Sequence, residues 1–274
     1  MKNNQIEIWK DIEGDNPSFD FTGGLKPMLE TYLLEGDEPR KLVLILPGGG
    51  YNHTSEREAG PIAKEFNEAG HHAIVLYYSV APHVYPQALL DSARALTLIK
   101  EYAKNWHVDM DNVFICGFSA GGHLAASVST SYEEPWLNTH RGIDLVGITL
   151  KGSILCYPVI SGGDYRHEGS FHKLLGIDVT PEDRERHSAE NRVLTSTPQA
   201  FIWHTYEDGS VPVENALLYA MALRKHKIPF ELHVFQWGGH GMALGTEASA
   251  ADERHVDPHV AHWMTLCKEW LEQV

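Results

Sequence analysis

Val113–Phe114–Ile115–Cys116–Gly117–Phe118–Ser119–Ala120–Gly121–Gly122–His123–Leu124 carries two kinds of secondary structure and one exposed hydroxyl between them. The run from Val113 is apolar at successive positions, as a strand covered on both faces should be. Behind it, Leu124, Ala125, Ala126 and Val128 suit a closely packed helix. The junction reads G-x-S-x-G. A serine hydroxyl is a poor nucleophile, so a catalytic serine must stand bare at a sharp strand-to-helix turn, where a base can reach it. Glycines two before and two after leave room for that turn and for neighbouring backbone. The helix start also points free N–H groups at the place where an oxyanion would form. In a chain with 24 glycines the pattern alone arises by chance. The strand before it and the helix after it make Ser119 the candidate nucleophile.

On both sides the same alternation recurs. Leu42–Val43–Leu44–Ile45–Leu46 is apolar at every position and ends at Pro47–Gly48–Gly49–Gly50–Tyr51. Helical spacing over 56–69 stops at Gly70, and Ala73–Tyr78 predicts the next buried strand. A long helix is expected over 85–106, with Ala88, Leu89, Ala93, Leu96 and Ile99 on one face. Beyond the Ser119 helix, 132–148 reads as loop and Gly152–Pro158 as strand. Strand Ala200–His204, helix Val213–His226, strand Phe230–Phe235 and helix Val260–Leu271 complete the series. Strand–helix repetition in this order gives an α/β fold with a mostly parallel sheet and right-handed crossovers. Upstream, 5–35 is punctuated at Gly14, Pro17, Gly23–Gly24 and Pro27, which suits short antiparallel edge strands such as Ile6–Trp9 and Leu29–Leu34. Residues 161–198 break the rhythm, with Gly162–Gly163, many charges and an apolar patch at Phe171–Leu175. This segment reads as a cap-like insertion over the active-site edge of one domain spanning 1–274.

Size and charge bound the function. The 274 residues allow one large α/β domain with a substantial core, and 43% hydrophobic with 22% charged residues is ordinary for a globular chain. A formal net charge of −15 disfavours nucleic acid and anionic membrane as partners. No apolar run approaches the roughly 18 residues of a membrane span, and residues 1–7 have no apolar signal core. A cytoplasmic location is the resulting expectation. Cys116, Cys156 and Cys267 are far apart and fit no metal or redox spacing, which predicts buried reduced thiols.

An activated serine needs a base, and the base needs a carboxylate to hold its tautomer. Where the nucleophile sits on a strand–turn–helix elbow, the chain order is Ser, acid, His, with each residue at the C-terminal end of a strand. Gln236–Trp237–Gly238–Gly239–His240–Gly241 follows strand Phe230–Phe235 and supplies His240. Thr205–Tyr206–Glu207–Asp208–Gly209–Ser210–Val211–Pro212 follows strand Ala200–His204 and supplies the acid. Glu207 competes there, but the D-x-x-V-P spacing ahead of the next helix favours Asp208. Gly48–Gly49–Gly50 can bring bare N–H groups to a substrate carbonyl alongside Ala120. His255, His259 and His262 fall at i, i+4 and i+7 with Asp252 and Asp257 nearby. Pro258 interrupts that run, so a solvated face is expected there and not a zinc site. His123 reads as a packing or hydrogen-bonding residue. The glycine loop lacks the lysine and hydroxyl of a phosphate loop. No metal and no cofactor is expected.

Pro47–Gly48–Gly49–Gly50–Tyr51, Gly117–Phe118–Ser119–Ala120–Gly121–Gly122–His123–Leu124, Val211–Pro212–Val213–Glu214–Asn215 and Gly238–Gly239–His240–Gly241 together resemble α/β-hydrolase esterases, in particular the bacterial acetyl-esterase and acetyl-xylan-esterase-like group. The resemblance runs from about residue 40 to the C-terminus. It implies the α/β-hydrolase fold, a triad of Ser119, Asp208 and His240, and oxyanion donors from Gly49, Gly50 and Ala120. Ser170–Gly176 and Ser188–Asn191 resemble that group's segment over the active site. The implied activity is hydrolysis of short-chain, mainly acetyl, esters of sugars or xylo-oligosaccharides through an acyl-enzyme. Pro47 stands where the broader lipase-type H-G-G-G pattern has histidine. Two other readings use the same residues: an amidase, arylformamidase or peptidase with the same triad, or a non-catalytic binding protein on a hydrolase scaffold. The oligomeric state is not legible in the sequence.

Overall fold

The computed structural model describes residues 4–12 and 26–274. The punctuation at Gly14, Pro17 and Gly23–Gly24 lies outside the described residues. Among the described residues, eight strands form one sheet in the order β1-β2-β4-β3-β5-β6-β7-β8. These are β1 (Gln5–Glu7), β2 (Met28–Tyr32), β3 (Arg40–Leu46), β4 (His72–Tyr77), β5 (Val108–Phe118), β6 (Leu150–Cys156), β7 (Gln199–Thr205) and β8 (Phe230–Phe235). The pairs β1–β2 and β2–β4 are antiparallel, and β4–β3–β5–β6–β7–β8 runs parallel.

Helices α1 (Gly60–Glu68) and α7 (His262–Gln273) pack on one face; α2 (Gln87–Trp106), α3 (Ala120–Ser129) and α6 (Glu214–Lys225) pack on the other. Side chains alternate across a strand, so β3 sends Leu42, Leu44 and Leu46 into the α2/α3/α6 layer and Val43 and Ile45 into the α1/α7 layer. Both faces are dry, which is why β3 reads as continuously apolar. Burying a side chain such as Leu44 or Phe201 completely contributes about 1.5–3 kcal/mol. All three cysteines are buried and free.

Several boundaries move for local reasons. The expected helix over 56–69 is a 3₁₀ turn (Glu56–Glu58) and then α1, separated by Ala59 at φ −110°, ψ −104°. Pro61 sits in the first turn of α1, where its missing N–H leaves no bond unmade. The helix expected from Tyr85 begins at Gln87, because a residue before proline is steered away from helix. The last helix begins at His262 and not at Val260: Asp257 first accepts the N–H groups of His259 and Val260 in a turn. The edge strands are shorter than Ile6–Trp9 and Leu29–Leu34, and β5 starts earlier, at Val108.

Residues 161–198 contain α4 (Glu168–Leu175), α5 (Pro181–Arg186) and a 3₁₀ turn at Ala189–Arg192. No helix among the described residues is long and apolar enough to cross a membrane.

The register decides where chemistry can gather. Leu46 pairs with Gly117, Phe118 with Cys156, Cys156 with Trp203, and Thr205 with Phe235. Five parallel strands therefore end level, and the loops after β3, β5, β6, β7 and β8 share one edge of the sheet, where ligands of such sheets bind.

Candidate active site

Ser119 is the turn between β5 and α3, at φ 52° and ψ −118°. A non-glycine residue held there is strained, and the surroundings fix it in place. Its N–H donates to the Cys156 carbonyl at 3.0 Å, and its carbonyl accepts from Val159 N–H at 3.0 Å. Gly121 is needed for close approach: a Cβ there would sit 2.1 Å from the Leu46 carbonyl oxygen.

The loops after β7 and β8 bring the other two side chains to this point. Ser119 Oγ lies 2.7 Å from His240 Nε2, and His240 Nδ1 lies 2.6 Å from Asp208 Oδ2. With Nδ1–H donated to the carboxylate, Nε2 is free to accept the serine proton. Asp208 Oδ1 accepts the N–H groups of Ser210 and Val211, both at 2.9 Å. Burial by itself pushes the Asp208 carboxyl up. The hydrogen bond and charge of His240, with the Val211 N–H, outweigh this and hold it below its ordinary value. Glu207 is exposed, and Asp208 is the carboxylate that touches His240.

Gly49 and Gly50 line the same cleft of about 400 Å³ as Ser119 and His240. Gly49 has φ +129°, and a Cβ there would lie 2.2 Å from the His53 carbonyl oxygen, so only glycine fits this turn. Ala120 is the first residue of α3 and fully buried, its N–H at the positive end of the helix dipole.

Sequence reading missed the residues that tie these loops together. Glu58, only 4% exposed, accepts Gly48 N–H on Oε2 at 2.8 Å and the Tyr157 hydroxyl on Oε1 at 2.6 Å. The Tyr157 hydroxyl in turn accepts Ala243 N–H at 2.9 Å, and its ring stands edge-on to His240, centroids 5.2 Å apart. Arg57 donates to the carbonyls of Gly241 at 2.8 Å and Ser249 at 2.6 Å. Two adjacent side chains thus join the glycine loop to the His240 loop. Tyr157→Phe leaves a buried carboxylate oxygen and a buried N–H without this partner, and lowers the unfolding free energy by about 1–3 kcal/mol. Urea unfolding measures it; an unchanged midpoint would contradict the assignment.

The 161–198 segment also reaches the cleft. His167 lines it, with Nδ1 accepting from Ser170 Oγ at 2.8 Å and Ser170 N–H at 3.3 Å, so the proton of the neutral ring sits on Nε2. Burial, then the nearby His240, lowers the pKa of His167. The only signal for it in the chain is a histidine three residues before Ser170, which is too weak to single out.

His123 takes no part in the chain of hydrogen bonds. Its Nε2 faces the His187 carbonyl at 2.8 Å and so must donate, leaving Nδ1 to accept the Tyr51 hydroxyl at 2.8 Å. Burial brings its pKa down to about 4, and does the same to His204. Both protonate near 6.5 once unfolded, so the unfolded chain binds more protons between those values. Stability is complete above pH 6.5 and is lost as pH falls towards 4, by as much as about 3 kcal/mol for one such histidine. Urea midpoints at pH 7.5 and 4.5 read this out, and His123→Gln should shrink the difference. An equal loss in wild type and variant would contradict the assignment.

His255 and His259 precede α7, so they share no helix face with His262, and Asp252 is paired with Arg254. Among the described residues no group of three or more His, Cys, Asp or Glu is arranged to hold a metal ion.

The model of the BD-FAE family matches residues 29–223. The chain is 36% identical over 251 residues to endo-1,4-beta-xylanase B of Butyrivibrio fibrisolvens, covering 90% of this chain and 39% of that protein. It is 30% identical over 247 residues to an acetylxylan esterase of Xylanibacter ruminicola, covering 87% and 48% respectively. The chain therefore spans less than half the length of either relative. Among solved structures, the acetyl ester-xyloside bifunctional hydrolase from Caldicellulosiruptor lactoaceticus superposes with a TM-score of 0.88 at 37% identity, over 99% of this chain and 96% of that one.

Proposed function

Because this chain belongs to the BD-FAE family, we propose that it is a serine hydrolase of short-chain carboxylic esters, chiefly acetyl esters of sugars or xylo-oligosaccharides. One observation carries the reading: Asp208, His240 and Ser119 are joined by hydrogen bonds of 2.6 and 2.7 Å, and the last two open on one cleft.

Ser119 Oγ attacks the ester carbonyl while its proton passes to His240 Nε2. The negative charge collects on the former carbonyl oxygen, where N–H groups of Gly49, Gly50 and Ala120 receive it. The C–O bond to the alcohol breaks as His240 returns the proton to the leaving oxygen, leaving an acyl group on Ser119. Water, deprotonated by His240, then attacks the acyl carbon and frees the acid and the serine. Asp208 keeps Nδ1 protonated and stabilises the imidazolium at each stage. In this reading 1–274 works as one domain, and 161–198 walls the alcohol side of the cleft through His167.

The acetylxylan esterase and acetyl ester-xyloside hydrolase among the relatives favour acetylated sugars as substrates. A series of p-nitrophenyl esters from acetate to octanoate, run beside acetylated xylo-oligosaccharides, tests this. Acetate should be released from the oligosaccharides, and kcat/KM should be highest at acetate and about tenfold or more lower at octanoate. Cleavage of N-formyl amides without ester cleavage, or a preference for octanoate, would overturn the reading.

A further inference from the structure

The loop after β3 separates two cavities. Gly49, Gly50, Ser55 and Arg57 line the cleft that holds Ser119. Asn52, Thr54 and Glu56, interleaved with them, line a neighbouring cavity of about 650 Å³. His53 lines both. The wall between them is braced: Ala81 N–H donates to the Tyr51 carbonyl at 2.8 Å, and Asn52 N–H donates to that of Gly49 at 3.0 Å. His53 is thus the residue the two spaces share, and the volume of the second is in the range of ordinary ligand sites.

The chemistry of that space is specific. Tyr77 Oη lies 3.1 Å from Glu30 Oε2 and 3.2 Å from Glu56 Oε2. Tyr32 also hydrogen-bonds Glu30, yet each carboxylate offers about four lone-pair sites, so acceptor capacity is left over for donors from outside. Burial first, then both glutamates, pushes the Tyr77 hydroxyl far above its ordinary range, so it stays protonated. Two carboxylates, an amide at Asn52 and an imidazole at His53 make a site rich in acceptors, suited to neighbouring hydroxyls. Its negative charges, in a chain of net charge −15, repel anionic ligands.

We propose that this second cavity binds a neutral sugar residue of the substrate, beyond the one carrying the scissile ester, with Glu30, Glu56 and Tyr77 holding its hydroxyls. This rests on the ester-hydrolase reading and deepens it. The enzyme then favours acetylated oligosaccharides over acetylated monosaccharides, and neutral chains over those bearing uronic acids.

The test compares kcat/KM on acetylated xylotetraose, acetylated xylose and p-nitrophenyl acetate for wild type, Glu56→Gln and Tyr77→Phe. Wild type should favour the tetraose over the monosaccharide by about tenfold, the worth of one hydrogen bond to a charged group. In each variant the ratio of tetraose to p-nitrophenyl acetate should fall about tenfold, mainly through KM. Glu56 is exposed on the loop, so its variant tests the contact even if Tyr77→Phe folds poorly. Equal turnover of the two sugars by wild type, or an unchanged ratio in the variants, would overturn the subsite. Loss of p-nitrophenyl acetate turnover in wild type would instead overturn the ester-hydrolase reading, and the subsite with it.

Discussion

Replacing Ser119 by alanine should lower kcat on p-nitrophenyl acetate about 10⁴–10⁶-fold while leaving the fold intact. The hydroxyl is the atom 2.7 Å from His240 Nε2, and alanine keeps the Cβ while removing the nucleophile. Alanine at φ 52° meets the same backbone restriction as serine, so urea unfolding should shift little. The loss is also expected to be non-additive. Once Ser119 is gone, His240 has no proton to accept, and Ser119→Ala/His240→Ala should be about as slow as either single variant. Activity above about a tenth of wild type in Ser119→Ala, or losses that multiply in the double variant, would contradict the mechanism.

The second large effect is expected at Asp208. Asparagine there preserves shape and can still accept N–H from Ser210 and Val211, but its amide can donate to Nδ1. That stabilises the tautomer with the proton on Nε2, which cannot accept from serine. A loss in kcat of about 10⁴-fold is the scale of this tautomer effect. Glu207→Gln is the matched control, one residue away and facing solvent, and should stay within about twofold of wild type. Steady-state kinetics at pH 7.5 separates the two carboxylates. A large loss in Glu207→Gln with little in Asp208→Asn would exchange their roles.

Much of the fold, and the residues of the candidate site, were legible in the sequence for identifiable reasons. Strand β3 from Leu42 and strand β5 from Val113 are apolar on both faces because helices cover both, and those continuous runs are visible without coordinates. Level strand ends in a parallel sheet turn chain order into position, so Ser119, Asp208 and His240 could be named from the loop residues after each strand. What stayed hidden depends on contacts remote along the chain. Glu58 and Tyr157 are 99 residues apart, and nothing local to ERE or to Cys156–Tyr157–Pro158 signals that they meet. Arg57 reaches 184 residues along the chain to Gly241. His167 depends on how an irregular segment folds back over the cleft. Helix starts slipped by two residues at Pro86 and at Asp257, where proline or an aspartate turn competed with apolar spacing.

The mechanism requires that one hydroxyl, at residue 119, becomes covalently acylated because His240 and Asp208 activate it. Intact-mass and peptide analysis after brief exposure to a fluorophosphonate tests this without any choice of substrate. One adduct per chain is expected on the peptide containing Ser119, absent in Ser119→Ala and formed far more slowly in Asp208→Asn. An unlabelled wild-type protein, or an adduct that persists in Ser119→Ala, would contradict it.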